Sequence, residues 1–257
     1  MSAEQVPAEE FTKIESIFVR HRNVLLVRGH FPGIYTDYYL HLMEEKIRHK
    51  EDLDQMLKDT LSMLVLHAVS RPWAETIAWT INLRAPRVNI FATASSIEES
   101  IVGRLFTEGV REPDRNFFFS QTVTKDLPEP RQSTLEVDDR DPLHWVEQYY
   151  TQSEQRPARS FRLDDEHFAL VVAQPDFDEE WFSSLDEASV TRIQEDEETK
   201  TLETRKFRFQ CGCDINKILP ALGGWKDKPD ELFEGADQIN VQCPRCAASY
   251  LVTRDML

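Results

Sequence analysis

The sequence predicts an α+β fold in which an antiparallel sheet with helices is followed by a small cysteine-bearing module. Short β-like runs between residues 76 and 137 follow one another too closely for crossover helices, which favours antiparallel pairing. Residues 53–68 repeat apolar side chains at three- and four-residue steps, as an amphipathic helix does. All four cysteines of the 257-residue chain lie between residues 211 and 246, which indicates a separate module there.

The chain is acidic, with a formal net charge of −16. Such a charge disfavours nucleic acid and anionic membranes as main partners, because lysine and arginine supply most of that affinity. No run of 18 apolar residues occurs, and the acidic first ten residues lack the features of a secretion signal. We therefore expect a cytoplasmic protein that binds neither nucleic acid nor membrane.

The first third of the chain begins with a predicted solvated tail, residues 1–12. Residues 14–30 are predicted to form one or two strands, Pro32 and Gly33 a turn, and residues 38–47 and 53–68 helices. The helix at 53–68 is interpreted as core packing. The β-like runs that follow are 76–83, 88–94, 100–106, 117–124 and 133–137.

A helix is predicted from Asp141 as N-cap and Pro142 as first helical residue, and residues 160–173 are predicted to form a hairpin. Asp176, with Glu179 three residues later, resembles a capping box and predicts a further helix. The polar run 194–201 predicts a linker.

These elements predict three parts. Residues 1–175 form an α+β N-terminal domain, residues 176–203 a helical and acidic linker, and residues 204–257 the cysteine module. A module of this size has a marginal apolar core, and a metal ion commonly supplies the missing stability.

The four cysteines form two short pairs, Cys211 with Cys213 and Cys243 with Cys246. In a reducing compartment, such pairs favour a four-thiolate zinc site over a disulfide framework. Gly212 permits the tight turn that the first pair requires. The residues alone leave two alternatives open: a purely structural zinc ion, or a redox switch in which the pairs bind metal when reduced and form disulfides when oxidised.

No constellation of catalytic residues is recognisable. The seven histidines are scattered, glycine-rich phosphate loops and nucleophile elbows are absent, and every cysteine belongs to the predicted zinc site. Ser153, Glu154 and Gln155 are interpreted as polar packing or capping at a helix end. The sequence therefore predicts a protein that is not an enzyme.

Two motifs resemble a known family. The Cys-X-Cys and Cys-X-X-Cys pairs, about thirty residues apart, resemble the zinc motif of heat shock protein 33, the bacterial redox-regulated holdase. Residues 149–157, Tyr-Tyr-Thr-Gln-Ser-Glu-Gln-Arg-Pro, resemble that family's Tyr-Phe-x-x-Ser-Glu-Gln-x-Pro segment. Residues 168–175 keep only the Gln and Pro of the family's glycine-rich strand, so the chain resembles a diverged member.

The resemblance implies an ATP-independent stress-response chaperone that binds unfolding proteins and is a dimer when active. Zn²⁺ would be bound by the four cysteines in the reduced, inactive form. Oxidation would form disulfides Cys211–Cys213 and Cys243–Cys246, release zinc, and unfold the module and a metastable linker. The apolar linker residues thereby uncovered would be Trp181, Phe182, Leu185, Val190 and Ile193.

A protein-interaction adaptor with a purely structural zinc site is the alternative function. It requires the reduced, zinc-loaded protein to bind one defined partner. A zinc-ribbon nucleic-acid binder is disfavoured by the net charge.

Overall fold

The computed structural model describes residues 11–257 and shows a mixed α+β protein. The strands in this part of the chain are β1 (Thr12–Val19), β2 (Val24–His30), β3 (Glu75–Leu83), β4 (Val88–Ser95), β5 (Ser100–Phe106), β6 (Phe117–Thr124), β7 (Arg131–Glu136), β8 (Ala158–Arg162), β9 (His167–Ala173), β10 (Thr199–Phe209), β11 (Gln238–Gln242) and β12 (Ser249–Thr253). The helices are α1 (Pro32–Glu44), α2 (Glu51–Val69), α3 (Pro142–Tyr149), α4 (Glu179–Ser184), α5 (Glu187–Asp196), α6 (Ile215–Ile218) and α7 (Pro229–Phe233). Much of the predicted tail lies outside the described residues, and Thr12 already begins β1 and is buried.

Within the described residues, ten strands form one sheet in the order β7-β6-β3-β4-β5-β10-β1-β2-β9-β8. Neighbouring strands are antiparallel, except that Arg208 and Phe209 of β10 pair in parallel with Ser100 and Ile101 of β5. The predicted α+β class and the antiparallel pairing of its strands are confirmed. Strands β11 and β12 form a separate hairpin near the C-terminus.

Helix α2 forms the centre of the core on one face of the sheet. Leu57, Leu61 and Leu64 of the predicted apolar stripe are fully buried. Gly103 of β5 lies directly beneath Leu61 of α2. A Cβ atom at residue 103 would come within 2.8 Å of a Leu61 methyl carbon. A glycine at this position thus lets α2 approach the sheet closely.

The opposite face of the sheet is covered by α4 and α5, which place four apolar side chains against β1, β2 and β9. A single helix beginning at Asp176 was predicted here, and that prediction is wrong. Asp178 caps α4, and Asp186 caps α5 in a reciprocal pair with Ser189. Asp176 itself has a left-handed φ of 58° in the preceding turn.

Two further predictions are corrected. Pro32 and Gly33 form the first turn of α1 instead of an isolated turn, because proline is well suited to the first helical position, where no amide proton is required. The polar run 194–201 is not an irregular linker, since its beginning completes α5 and its end starts β10. The boundary predicted between residues 203 and 204 falls inside β10, and the division into three parts stays a prediction.

Candidate metal centre

The four cysteines are carried by two turns that face each other. Cys211 and Cys213 follow the end of β10, and Gly212 between them has a φ of 61°, a left-handed value that glycine adopts without strain. Cys243 and Cys246 lie in the connection between β11 and β12. That connection is closed by backbone hydrogen bonds: the amide of Cys243 donates to the carbonyl oxygen of Ala248 at 2.8 Å, and the amide of Ala247 donates to that of Cys243 at 2.9 Å.

The structure brings all four predicted site residues together. Their sulfur atoms lie within 4.8 Å of one another, with 3.7 Å between Cys211 and Cys243 and 3.5 Å between Cys213 and Cys246. A tetrahedral ion with metal–sulfur bonds of about 2.3 Å, as for zinc, requires sulfurs about 3.8 Å apart. Among residues 11–257, no other cluster of three or more histidine, cysteine or acidic ligand atoms is this compact. The arrangement fits a metal site.

The thiols also differ in acidity because they crowd one another. The pKa of Cys211 is lowered to about 5, chiefly because the Cys246 thiol donates a hydrogen bond to its sulfur. The same bond raises the pKa of Cys246, and burial raises the pKa of Cys213 to about 11. The crowding thus favours deprotonation of Cys211 and disfavours deprotonation of Cys213 and Cys246. A bound cation would offset the repulsion between the negative sulfurs and favour the thiolate form of all four cysteines.

A first set of neighbours donates hydrogen bonds to the sulfurs and their turns. The Tyr250 hydroxyl donates to the sulfur of Cys213 at 3.0 Å, and the Ala248 amide donates to that of Cys246 at 3.5 Å. The Lys217 ammonium donates to the Gly212 carbonyl oxygen at 2.5 Å. Such donors orient metal ligands and moderate the charge on their sulfurs.

A second set ties the cysteine turn of the β11–β12 hairpin to β5 and α1. Arg104 of β5 donates to the Cys243 carbonyl oxygen at 3.0 Å and to the Gln242 side-chain oxygen at 2.7 Å. His41 of α1 donates to the Cys246 carbonyl oxygen at 2.7 Å. Sequence reasoning missed these residues, because they lie more than 100 positions from the cysteines and match no motif.

The second matched motif, residues 149–157, does not reach the cysteines. It forms the end of α3 and a π-helical turn that packs against the C-terminal end of α2. The Tyr150 hydroxyl lies 2.9 Å from Nδ1 of the buried His67, and Glu154 pairs with Arg71 at 2.6 Å. This segment thus makes buried contacts with the C-terminal end of α2 and with the residues that follow it.

The family model described as Hsp33 protein matches residues 162–253, which include all four cysteines. A curated protein named 33 kDa chaperonin, from Pectobacterium atrosepticum, is 25% identical over 168 residues, or 55% of this chain and 58% of that protein. The match therefore spans little more than half the length of that relative.

The crystal structure of the 33 kDa chaperonin, a heat shock protein 33 homolog from Thermotoga maritima, superposes with a TM-score of 0.72. The alignment covers 97% of this chain and 96% of that chain at 14% identity, which shows a shared fold. The family match and the shared fold confirm the predicted resemblance to Hsp33 proteins, and the identities of 25% and 14% are low, as the departures from that family's motifs predict.

Among the helices of residues 11–257, none combines the length and the apolar character needed to cross a membrane.

Proposed function

We propose that this chain is a redox-regulated, ATP-independent holdase chaperone whose four cysteines bind Zn²⁺ in the reduced, inactive state. The observation that carries the proposal is the compact sulfur cluster, with spacings close to those of a tetrahedral ion. The support for a chaperone comes from the Hsp33 family match and from the name of the curated relative.

Bound Zn²⁺ would neutralise the thiolates and crosslink the two turns. Cys211 and Cys213 would hold it from the end of β10, and Cys243 and Cys246 from the β11–β12 hairpin. The folded module would then keep Arg104 and His41 bonded to the cysteine turn.

Oxidation would convert the ligands to disulfides. Two thiols and one peroxide molecule give one disulfide and two waters, so four cysteines consume two peroxides. We propose the pairs Cys211–Cys213 and Cys243–Cys246, on the family resemblance. Without its ligands the module would unfold, and α4 and α5 would leave the sheet. The apolar face of β1, β2 and β9 would then be free to bind unfolding client proteins.

We also propose that the active form is a homodimer and that it works in the cytoplasm without catalysing a reaction. Its proposed partners are aggregation-prone proteins, and neither nucleic acid nor membrane.

The test combines metal analysis, thiol counting and a client assay. Reduced protein is expected to contain one zinc ion and four free thiols per chain, and to leave thermal aggregation of a model client unaffected. Peroxide is expected to remove the thiols and the zinc and to suppress aggregation, and mass spectrometry then maps the disulfides. The quadruple cysteine-to-serine variant lacks both the zinc ligands and the thiols, so it is expected to contain no zinc and to protect the client equally with and without peroxide.

A protein-interaction adaptor with structural zinc is the second candidate. The docking of the cysteine turn by Arg104 and His41 favours it, because a fixed module would present a constant surface. Equal client protection before and after peroxide, with zinc retained, would reject the switch and favour the adaptor.

A further inference from the structure

Residues 176–198, here called the acidic helical segment, comprise α4, α5 and their flanking turns. They contain ten acidic residues and a single basic one, Arg192. Like charges at this density repel one another, so the segment needs cations from elsewhere to stay folded on the sheet. The sheet supplies them as arginine side chains.

Residues 20–23, the turn between β1 and β2, bind both ends of this segment. At its beginning, Arg22 pairs with Asp178 at 2.6 Å, and the Asp178 amide donates to the Arg22 carbonyl oxygen at 3.1 Å. At its end, Arg22 also pairs with Glu197 at 3.0 Å, while Arg20 pairs with Glu198 at 2.6 Å. One guanidinium therefore bridges two carboxylates that are 19 positions apart.

These contacts are better protected than ordinary surface ion pairs. The side chain of Glu197 is only 17% exposed, and those of Arg22 and Asp178 are about one-third exposed. The Arg22 guanidinium also lies over the ring of Trp181 in α4, 5.3 Å from its centre. Partial burial strengthens such pairs relative to fully solvated ones, and the planar fork of arginine suits two acceptors at once.

Arg159 of β8 holds the middle of the segment. Its guanidinium donates to three carbonyl oxygens at the C-terminal end of α4, those of Phe182, Ser183 and Leu185, at 3.2, 3.1 and 2.6 Å. The Leu185 amide also donates to the Phe182 carbonyl oxygen at 3.4 Å, and the arginine adds a charged donor at this end of the helix, where it complements the helix dipole.

The apolar surface beneath the segment explains why its attachment matters. Phe182, Leu185, Val190 and Ile193 are buried against sheet residues that include Ile17 and Val171. If the segment lifts, both apolar surfaces become exposed together.

We propose that Arg22 and Arg159 act as an ionic clamp that sets how often the acidic helical segment leaves the sheet. The claim that the two arginines hold the segment on the sheet depends only on the contacts described above. A regulatory role, in which the clamp sets the threshold for client binding, rests on the proposed function.

Hydrogen–deuterium exchange of the intact, metal-loaded protein tests the clamp. Amides of α4 and α5 are expected to exchange about tenfold faster in Arg22→Gln and in Arg159→Gln than in wild type. Arg192→Gln is the matched control, since Arg192 lies within the segment, is 61% exposed and pairs with Asp196 of the same segment at 3.6 Å. It is expected to exchange as wild type does.

Amides of α2 report on the rest of the fold. If they accelerate as much as those of α4 and α5, the arginines support global stability and the clamp is rejected. Unchanged exchange in α4 and α5 would also overturn it. Arg22→Lys keeps the charge without the fork, and an intermediate rate is expected.

A client assay on the same variants separates the clamp from the proposed function. Faster exchange together with client binding at lower peroxide supports both. Faster exchange without any client binding, before or after peroxide, would leave the clamp standing and reject the chaperone.

Discussion

The guanidinium of Arg104 donates a hydrogen bond to the carbonyl oxygen of Cys243 at 3.0 Å, so β5 of the ten-stranded sheet holds the turn that carries two of the four thiols. We expect Arg104→Gln to destabilise the docked hairpin by about 1 kcal/mol, because a charge-assisted bond is lost. Hydrogen exchange of β11 and β12 in metal-loaded protein measures this. Arg87→Gln is the control, since Arg87 is exposed and pairs with Glu112 on the surface. Equal changes in both variants would contradict a specific docking role.

The Tyr250 hydroxyl donates a hydrogen bond to the sulfur of Cys213, which lowers the nucleophilicity of that sulfur. In metal-loaded Tyr250→Phe, we expect Cys213 to react several-fold faster with peroxide, because the sulfur loses a donor that withdraws electron density. Site-resolved mass spectrometry of timed samples follows the reaction. Tyr39→Phe, which removes a hydroxyl bonded to Asp54, is a control of the same chemistry. An unchanged rate at Cys213 would show that the hydroxyl does not tune this thiolate.

Arg71 joins two largely buried carboxylates, Glu75 at 3.3 Å and Glu154 at 2.6 Å. Arg71→Met would leave both without their main cation, and we expect a loss of about 3 kcal/mol in unfolding free energy. Urea denaturation measures it. Arg115→Gln, which removes an exposed pair with Glu136, is expected to leave the unfolding free energy nearly unchanged. Similar losses in both variants would show that burial of the network is unimportant.

His67 makes the folded state sensitive to acid. Its pKa is well below the ordinary value of 6.5, chiefly because it is buried and secondarily because Arg71 and other arginines lie near. Below pH 6.5, His67 therefore binds a proton in the unfolded chain but stays neutral in the folded chain. The unfolding free energy then falls by up to about 1.4 kcal/mol per pH unit. We expect His67→Asn to lose less unfolding free energy than wild type between pH 7.5 and pH 5.5.

His144 provides a control of opposite sign. A hydrogen bond to Asp139 raises its pKa, so its contribution to stability is present at low pH and is lost as the pH rises. We therefore expect His144→Gln to lose more unfolding free energy than wild type on acidification, whereas His67→Asn loses less. If both variants shift the pH dependence in the same direction, the assignment to His67 is wrong.

Local patterns predicted much of the fold. The predicted strands coincide with β3 to β7, and Asp141 caps α3 with its side chain bonded to the Leu143 amide. These elements follow from periodicity and capping, which depend on neighbouring residues. The start of α1 was missed because proline is common both in turns and at the first position of a helix.

Strand β10 was not predicted, because its stability comes from distant partners. Its first residues are polar and resemble a linker, yet they pair with β1 across about 180 positions of sequence. The cysteine cluster was predictable since its spacing is itself the signal. Arg104, His41 and Tyr250 were not, because single polar residues become neighbours of the sulfurs only after the chain has folded.

The position of β10 between β5 and β1 has a consequence for synthesis on the ribosome. The chain emerges from its N-terminus, so β1 and β5 leave the exit tunnel long before Phe209 can join them. Until then, the two halves of the sheet present open edges to each other and to their surroundings. The nascent protein thus passes through an interval in which it is itself prone to aggregate, and the interval ends only when its last quarter begins to appear.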